Sequence, residues 1–162
     1  MKNKIGILLI TVLFVACSKK VSDDRIPVST VRIEVSRAQQ ANPGWWVNAP
    51  TDHVEFIKPS YPIGFSYQIS SYTGYGGVML VYGYDDARYA FDLTCPVERD
   101  PSIKIYVDEN YDARCKQCGS TYDVFWGSGA PKTGEAAERQ YSLRKYYVNY
   151  IAGNGSYMIV NY

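Results

Sequence analysis

Three of the chain's four cysteines fall in one stretch, as Cys95 and, twenty positions on, Cys115-Lys116-Gln117-Cys118. Thiols on two short loops at hairpin tips can be brought face to face, and such a pocket suits a soft metal ion or an iron-sulfur centre. In an oxidising compartment the same thiols can pair instead, Cys115 with Cys118 or Cys95 with either, leaving one thiol over. A thioredoxin-like role needs its CxxC at a helix N-terminus, where the thiol pKa falls. Here Gly119-Ser120-Thr121-Tyr122 reads as a turn into a strand. No nucleophile-base pair, and no paired carboxylates with a histidine, accompany the thiols, so the chain is not read as an enzyme. The single histidine, His53, stands some forty residues before Cys95 and is expected on a strand surface.

The elements that must position these thiols read as strands. Val31, Ile33 and Val35 alternate with polar residues over 29-37, and His53 to Ile57 alternate again. Pro59 and Pro62 force a loop before the alternating run Phe65 to Ile69. Val78 to Tyr82 is apolar throughout, as a central strand would be. The preceding Gly74-Tyr75-Gly76-Gly77 is no phosphate cradle, because a strand and not a helix follows it. Asp85-Asp86-Ala87-Arg88 turns that strand into Tyr89 to Thr94, which delivers the chain to Cys95. Ile103, Ile105 and Val107, a turn at Asp108-Glu109-Asn110, and Tyr111 to Arg114 make a hairpin that ends on Cys115. Val124 to Trp126 reads as a short strand, Gly127 to Gly134 as a loop, and 136-141 as at most one helical turn. Leu143 to Tyr150 and Tyr157 to Val160, joined by Gly153-Asn154-Gly155, form a closing hairpin. About nine strands are expected on this pattern.

Composition agrees. The 162 residues are 46% apolar and 20% charged, one domain's worth, and sixteen tyrosines with three tryptophans favour a pleated, half-buried surface. Trp45 and Trp46 are expected in a core; a sugar-binding platform is their functional alternative.

The second thiol loop, Cys115-x-x-Cys118-Gly119-Ser120-x-Tyr122-Asp123, resembles the second cluster loop of Rieske iron-sulfur proteins, which reads C-x-x-H-G-S-x-Y-D. The entry strand Ala90-Phe91-Asp92 into Cys95-Pro96, and Leu143, Tyr146 and Val148 after a glycine-containing loop, are similar to Rieske domains as well, so the resemblance spans residues 78-162. It implies an all-β, Rieske-like antiparallel β-sandwich over 29-162, with loops 95-100 and 115-121 adjacent at the tip. It also implies ligand positions at Cys95, Val97, Cys115 and Cys118. A Rieske centre needs two imidazoles, and neither Val97 nor Cys118 supplies one. Glu98 is the nearest substitute, and a carboxylate suits zinc better than a sulfide-bridged iron pair. Ser120 and Tyr122 match the hydroxyls that hydrogen-bond cluster sulfur in high-potential members. The expectation is a non-catalytic binding or structural protein without a standard Rieske centre and most often without cofactor, its thiols a disulfide plus one free. A [2Fe-2S] electron-transfer centre or a zinc held by the three cysteines is the alternative.

The N-terminus supplies an address. Lys2 and Lys4, the apolar run Ile5 to Val15 and Ala16-Cys17 resemble a bacterial lipoprotein signal, which implies cleavage after residue 16, lipid on Cys17 and a membrane as partner. Residues 17-28 are read as a flexible tether, and Ser22-Asp23-Asp24 resembles acidic surface-export tags of Gram-negative lipoproteins. The domain is therefore expected in the cell envelope, lipid-anchored to the outer membrane. Loss of Lys2 and Lys4 leaves 15 basic against 16 acidic residues, a net charge of −1, which excludes a nucleic-acid partner. No protein partner is specified by the sequence.

Overall fold

Alternation becomes strand wherever one face has a core to meet. The structure, a computed structural model, describes residues 22–161; the segment 1-16 and Cys17 lie outside the described residues. Its strands are β1 (Val31–Val35), β2 (His53–Phe56), β3 (Tyr72–Thr73), β4 (Val78–Tyr82), β5 (Arg88–Asp92), β6 (Ile105–Val107), β7 (Ala113–Cys115), β8 (Thr121–Tyr122) and β9 (Pro131–Thr133). One short helix follows, α1 (Gly134–Arg139), and then β10 (Lys145–Ile151) and β11 (Ser156–Val160). The fold is all-β and its strand pairings are antiparallel.

Seven strands, in the order β2-β4-β5-β10-β11-β1-β3, make one sheet that curls into a nearly closed barrel. Its edges approach each other just beyond β2, where the Lys58 amide reaches Thr73 Oγ1 of β3 at 3.4 Å. The interior takes Val31, Ile33 and Val35 from β1, Val54 and Phe56 from β2, and Ile159 from β11, all from the inward set of a period-two pattern. Trp46, Val47 and Phe65 fill the same interior from the connecting segments.

A second sheet, β6-β7-β8-β9, packs against the outside of β4 and β5. This is why Val78 to Val81 is apolar at every position: Val78 and Leu80 face the barrel interior, while Met79 and Val81 face the small sheet. β5 divides likewise, with Ala90 inside and Phe91 outside, and Leu93 continues the outer face. The chain then passes from one sheet to the other without a break in pairing. The Leu93 amide bonds Gly77 O at 3.0 Å, and Leu93 O accepts from the Ile105 amide at 2.8 Å.

Four expectations are corrected. Among the described residues eleven strands form where about nine were expected. Val124 to Trp126 is a turn, because Asp123 Oδ1 takes the Trp126 amide at 3.1 Å and Val124 O takes that of Gly127 at 3.1 Å, so the backbone bonds locally instead of along a ladder. Residues 131-133, read as loop, form β9; Pro131 has no N–H to give, and it stands on the edge strand where that costs least. Residues 65-69 do not form a strand. Phe65 and Tyr67 turn inward, but the carbonyls of Gln68, Ile69 and Ser71 are taken by the Lys58 ammonium at 3.2, 3.3 and 2.9 Å.

Part of the expected tether belongs to the domain. Ser22 bridges Tyr141, Arg25 stacks on the Tyr141 ring at 4.2 Å, and Ile26 is fully buried with its carbonyl held by Arg144 Nε at 2.9 Å. One apolar side chain with a pocket is enough to dock an otherwise polar segment.

Candidate metal centre

Each thiol loop is a tight turn that begins on a cysteine. The carbonyl of Cys95 accepts from the Arg99 amide at 2.9 Å, and that of Cys115 from the Gly119 amide at 3.0 Å. The fifth residue of each turn lies in the left-handed region, Arg99 at φ 60° and Gly119 at φ 72°. In each turn the amides of the third and fourth residues are directed at the first sulfur: Val97 and Glu98 toward Cys95, Gln117 and Cys118 toward Cys115. The hairpin β6–β7 carries the second turn, and pairs Ile105 with Cys115. Asp108 closes the far end of that hairpin, accepting from the amides of Asn110 and Asp112, and Arg114 bonds both Asp108 Oδ2 at 2.8 Å and Gly119 O at 3.2 Å.

The two turns meet. The sulfurs of Cys95, Cys115 and Cys118 all lie within 4.8 Å of one another, and Cys95 Sγ is 3.7 Å from Cys118 Sγ. Cys95 and Cys115 are buried, Cys118 is partly exposed, and all three are free thiols. In this structure no disulfide joins them, the sulfurs of Cys95 and Cys118 standing 3.7 Å apart. Tyr122 Oη lies 3.6 Å from Cys95 Sγ, and Ser120 Oγ lies 3.3 Å from Cys118 Sγ. Ser120 Oγ also accepts the Ala136 amide at 3.2 Å, tying the first turn of α1 to the thiol loop. That approach needs Gly134: a Cβ there would stand 2.8 Å from Ser120 Oγ and 3.0 Å from Ser120 Cα.

Other sequence candidates are placed elsewhere. Val97 packs on the second core and offers no ligand atom. Glu98 is partly buried, with its carboxylate outside the 4.8 Å group. His53 sits exposed on β2, paired in register with Val81. Trp46 is buried in the barrel, as a core residue would be. The helical turn expected at 136-141 is α1, which begins two residues earlier at Gly134. Sequence reasoning missed the left-handed Arg99, which no residue type announced.

Burial dominates the electrostatics. It pushes the Cys95 thiol up to about 12, against the opposing pull of the Glu98 amide and the Tyr122 hydroxyl. Burial raises Cys115 as well, and it raises Tyr122 together with the charge that Cys95 would carry. Without a cation these thiols keep their protons at neutral pH; a bound cation takes their place and releases them.

Three sulfurs mutually within 4.8 Å could hold a metal. A tetrahedral ion with metal–sulfur bonds of about 2.3 Å separates its sulfurs by about 3.8 Å, close to the 3.7 Å between Cys95 and Cys118. No family model, curated protein or solved structure matches this chain.

Proposed function

We propose that this chain is a lipid-anchored envelope protein of Rieske-like design whose two thiol loops hold a single zinc ion, as a non-catalytic binding or structural domain. The convergence of Cys95, Cys115 and Cys118 within 4.8 Å carries the reading. Thiolates select soft ions, and zinc takes a tetrahedron without redox chemistry. Bound there, it would supply a cross-link between residue 95 and the 115–118 turn, replacing long strands as the means of fixing the small sheet. The resemblance of Ala16-Cys17 to a lipoprotein signal supports the anchor. A second reading is favoured by the 3.7 Å contact: Cys95 and Cys118 close a disulfide, each thiol losing a proton and an electron to an envelope thiol oxidant.

Metal analysis combined with thiol titration tests the proposal. One zinc per chain, no acid-labile sulfide, and three thiols that react only after chelation are the expected result. Two irons with two labile sulfides would restore the cluster reading, and absence of metal with one free thiol would favour the disulfide. In the same cells, wild-type protein should fractionate with membranes and Cys17→Ser with the soluble envelope contents; equal membrane retention of both would count against the anchor.

A further inference from the structure

The two thiol turns are the same backbone motif used twice. Both begin on a cysteine whose carbonyl accepts the amide of the residue four positions on, at 2.9 Å in the first and 3.0 Å in the second. Both direct the third and fourth amides at the first sulfur, and both place the fifth residue at positive φ, 60° and 72°. Only the side chains differ. Cys95-Pro96-Val97-Glu98-Arg99 lies over Cys115-Lys116-Gln117-Cys118-Gly119 position for position. Arg99 makes the correspondence hard to dismiss as coincidence. An arginine in the left-handed region is strained where Gly119 is not, so the first loop holds the turn in spite of its sequence.

In the second turn the first and fourth residues, Cys115 and Cys118, send their sulfurs to one point, and Cys95 meets them there from the first turn. The position that completes the set is the fourth residue of the first turn, which is Glu98. We infer that Glu98 is the fourth ligand of the ion, giving a closed site of three thiolates and one carboxylate. The inference rests on the metal-binding reading above and adds the identity of the last ligand. Zinc accepts a carboxylate oxygen at about 2.0–2.2 Å, and a set with four protein ligands is structural, with no vacant position for a substrate. Glu98 is already partly buried beside the site. Its carboxylate stands outside the 4.8 Å group of sulfurs, so ligation requires the side chain to turn inward when the ion binds. Val97, the position at which a Rieske loop would place its ligand, stays packed on the core.

Cobalt(II) added to the reduced protein is the probe, compared across wild type, Glu98→Gln, Glu98→Ala and Glu98→Cys. The wild type should show thiolate-to-cobalt absorption for three sulfurs and tetrahedral d–d bands that added imidazole leaves unchanged. Glu98→Cys should raise the charge-transfer intensity by about one third, the step from three thiolates to four. Glu98→Ala and Glu98→Gln should bind zinc about tenfold or more weakly, and their cobalt spectra should shift on addition of imidazole as it enters the opened position. A three-thiolate wild-type spectrum, with Glu98→Ala and Glu98→Gln unchanged in affinity and imidazole response, would overturn the role of Glu98 and leave the three-thiol site standing. A wild type that binds neither cobalt nor zinc would overturn both.

Discussion

The barrel and the four-stranded sheet beside it are held by different means. Most barrel strands run four to seven residues, β3 with two being the exception, and they enclose a continuous apolar interior. The small sheet's strands are two or three residues long, too short to be fixed by ladder bonds alone. Besides its packing on β4 and β5, it is tied by turn chemistry: Asp108 with Arg114, the Lys132–Asp112 ion pair at 2.6 Å and the Thr121–Thr133 hydroxyl contact at 2.8 Å. Period-two burial can specify a sheet whose strands are long enough to show the period. A sheet of two- and three-residue strands must be specified residue by residue, by its turns and by the wall it shares with its neighbour.

The largest effects should separate the two regions. Phe56→Ala removes a fully buried ring that packs on Phe65 at 5.2 Å in the barrel, and should cost about 3–5 kcal/mol in denaturant unfolding. The loss should be the same with and without chelator, because Phe56 and the thiols belong to different apolar clusters. Chelation alone should destabilise the wild type by about 4 kcal/mol when free zinc had stood a thousandfold above its dissociation constant. It should leave a Cys95→Ser, Cys115→Ser double variant untouched. A chelator effect that depends on Phe56 would break the separation.

Asp108 tests the turn chemistry at a smaller scale. Its side chain is 8% exposed, and Asp108→Ala should cost about 1–3 kcal/mol by leaving Arg114 and two amides without their acceptor. Burial alone would raise this carboxyl, but the Asp112 amide, Arg114 and the Asn110 amide outweigh burial and hold it below the usual carboxylate range. The folded state therefore binds its proton less readily than the unfolded chain. The contribution of Asp108 is present above the unfolded value of about 3.9 and is lost as pH falls through the lower folded value. Unfolding midpoints measured from pH 6 to pH 2 should fall less steeply in Asp108→Asn than in the wild type; parallel curves would remove Asp108 from the account.

The smallest effects lie at the paired turn positions. Arg99→Gly should stabilise by up to about 1 kcal/mol, the relief at positive φ less the added freedom of the unfolded chain. Gly119→Ala should lose about 1–2 kcal/mol on conformation alone, since a Cβ there would meet nothing within 4 Å. Opposite signs in thermal unfolding would bear out the duplicated turn, and equal signs would dissolve it.

Legibility in the sequence followed the same division. Val31, Ile33 and Val35, Val54 and Phe56, and the two-sided run Val78 to Val81 announced their strands because each side chain has a fixed face to bury. The hairpin from Ile105 to Cys115 was readable from the turn at 108-110, and the meeting of the thiol loops followed from it. Val124 to Trp126 misled, because Val124 and Phe125 are buried from a turn and apolar type alone does not distinguish the two. Pro131 to Thr133 and the docking of Ile26 depend on tertiary partners distant in sequence, and the conformation of Arg99 is imposed by its loop against its own preference.

Val78 to Val81 has a consequence for how the molecule can be divided. Because alternate residues of this one strand line both interiors, no cut through the chain yields either region with its wall intact. Excising 95-139 would expose Met79, Val81 and Phe91 on what remains, and the excised piece would have lost the surface it rests on. The thiol-bearing portion is therefore not a transplantable module. The amides of β4 and β5 should be among the last to exchange with deuterated solvent, released only when the whole chain opens at once.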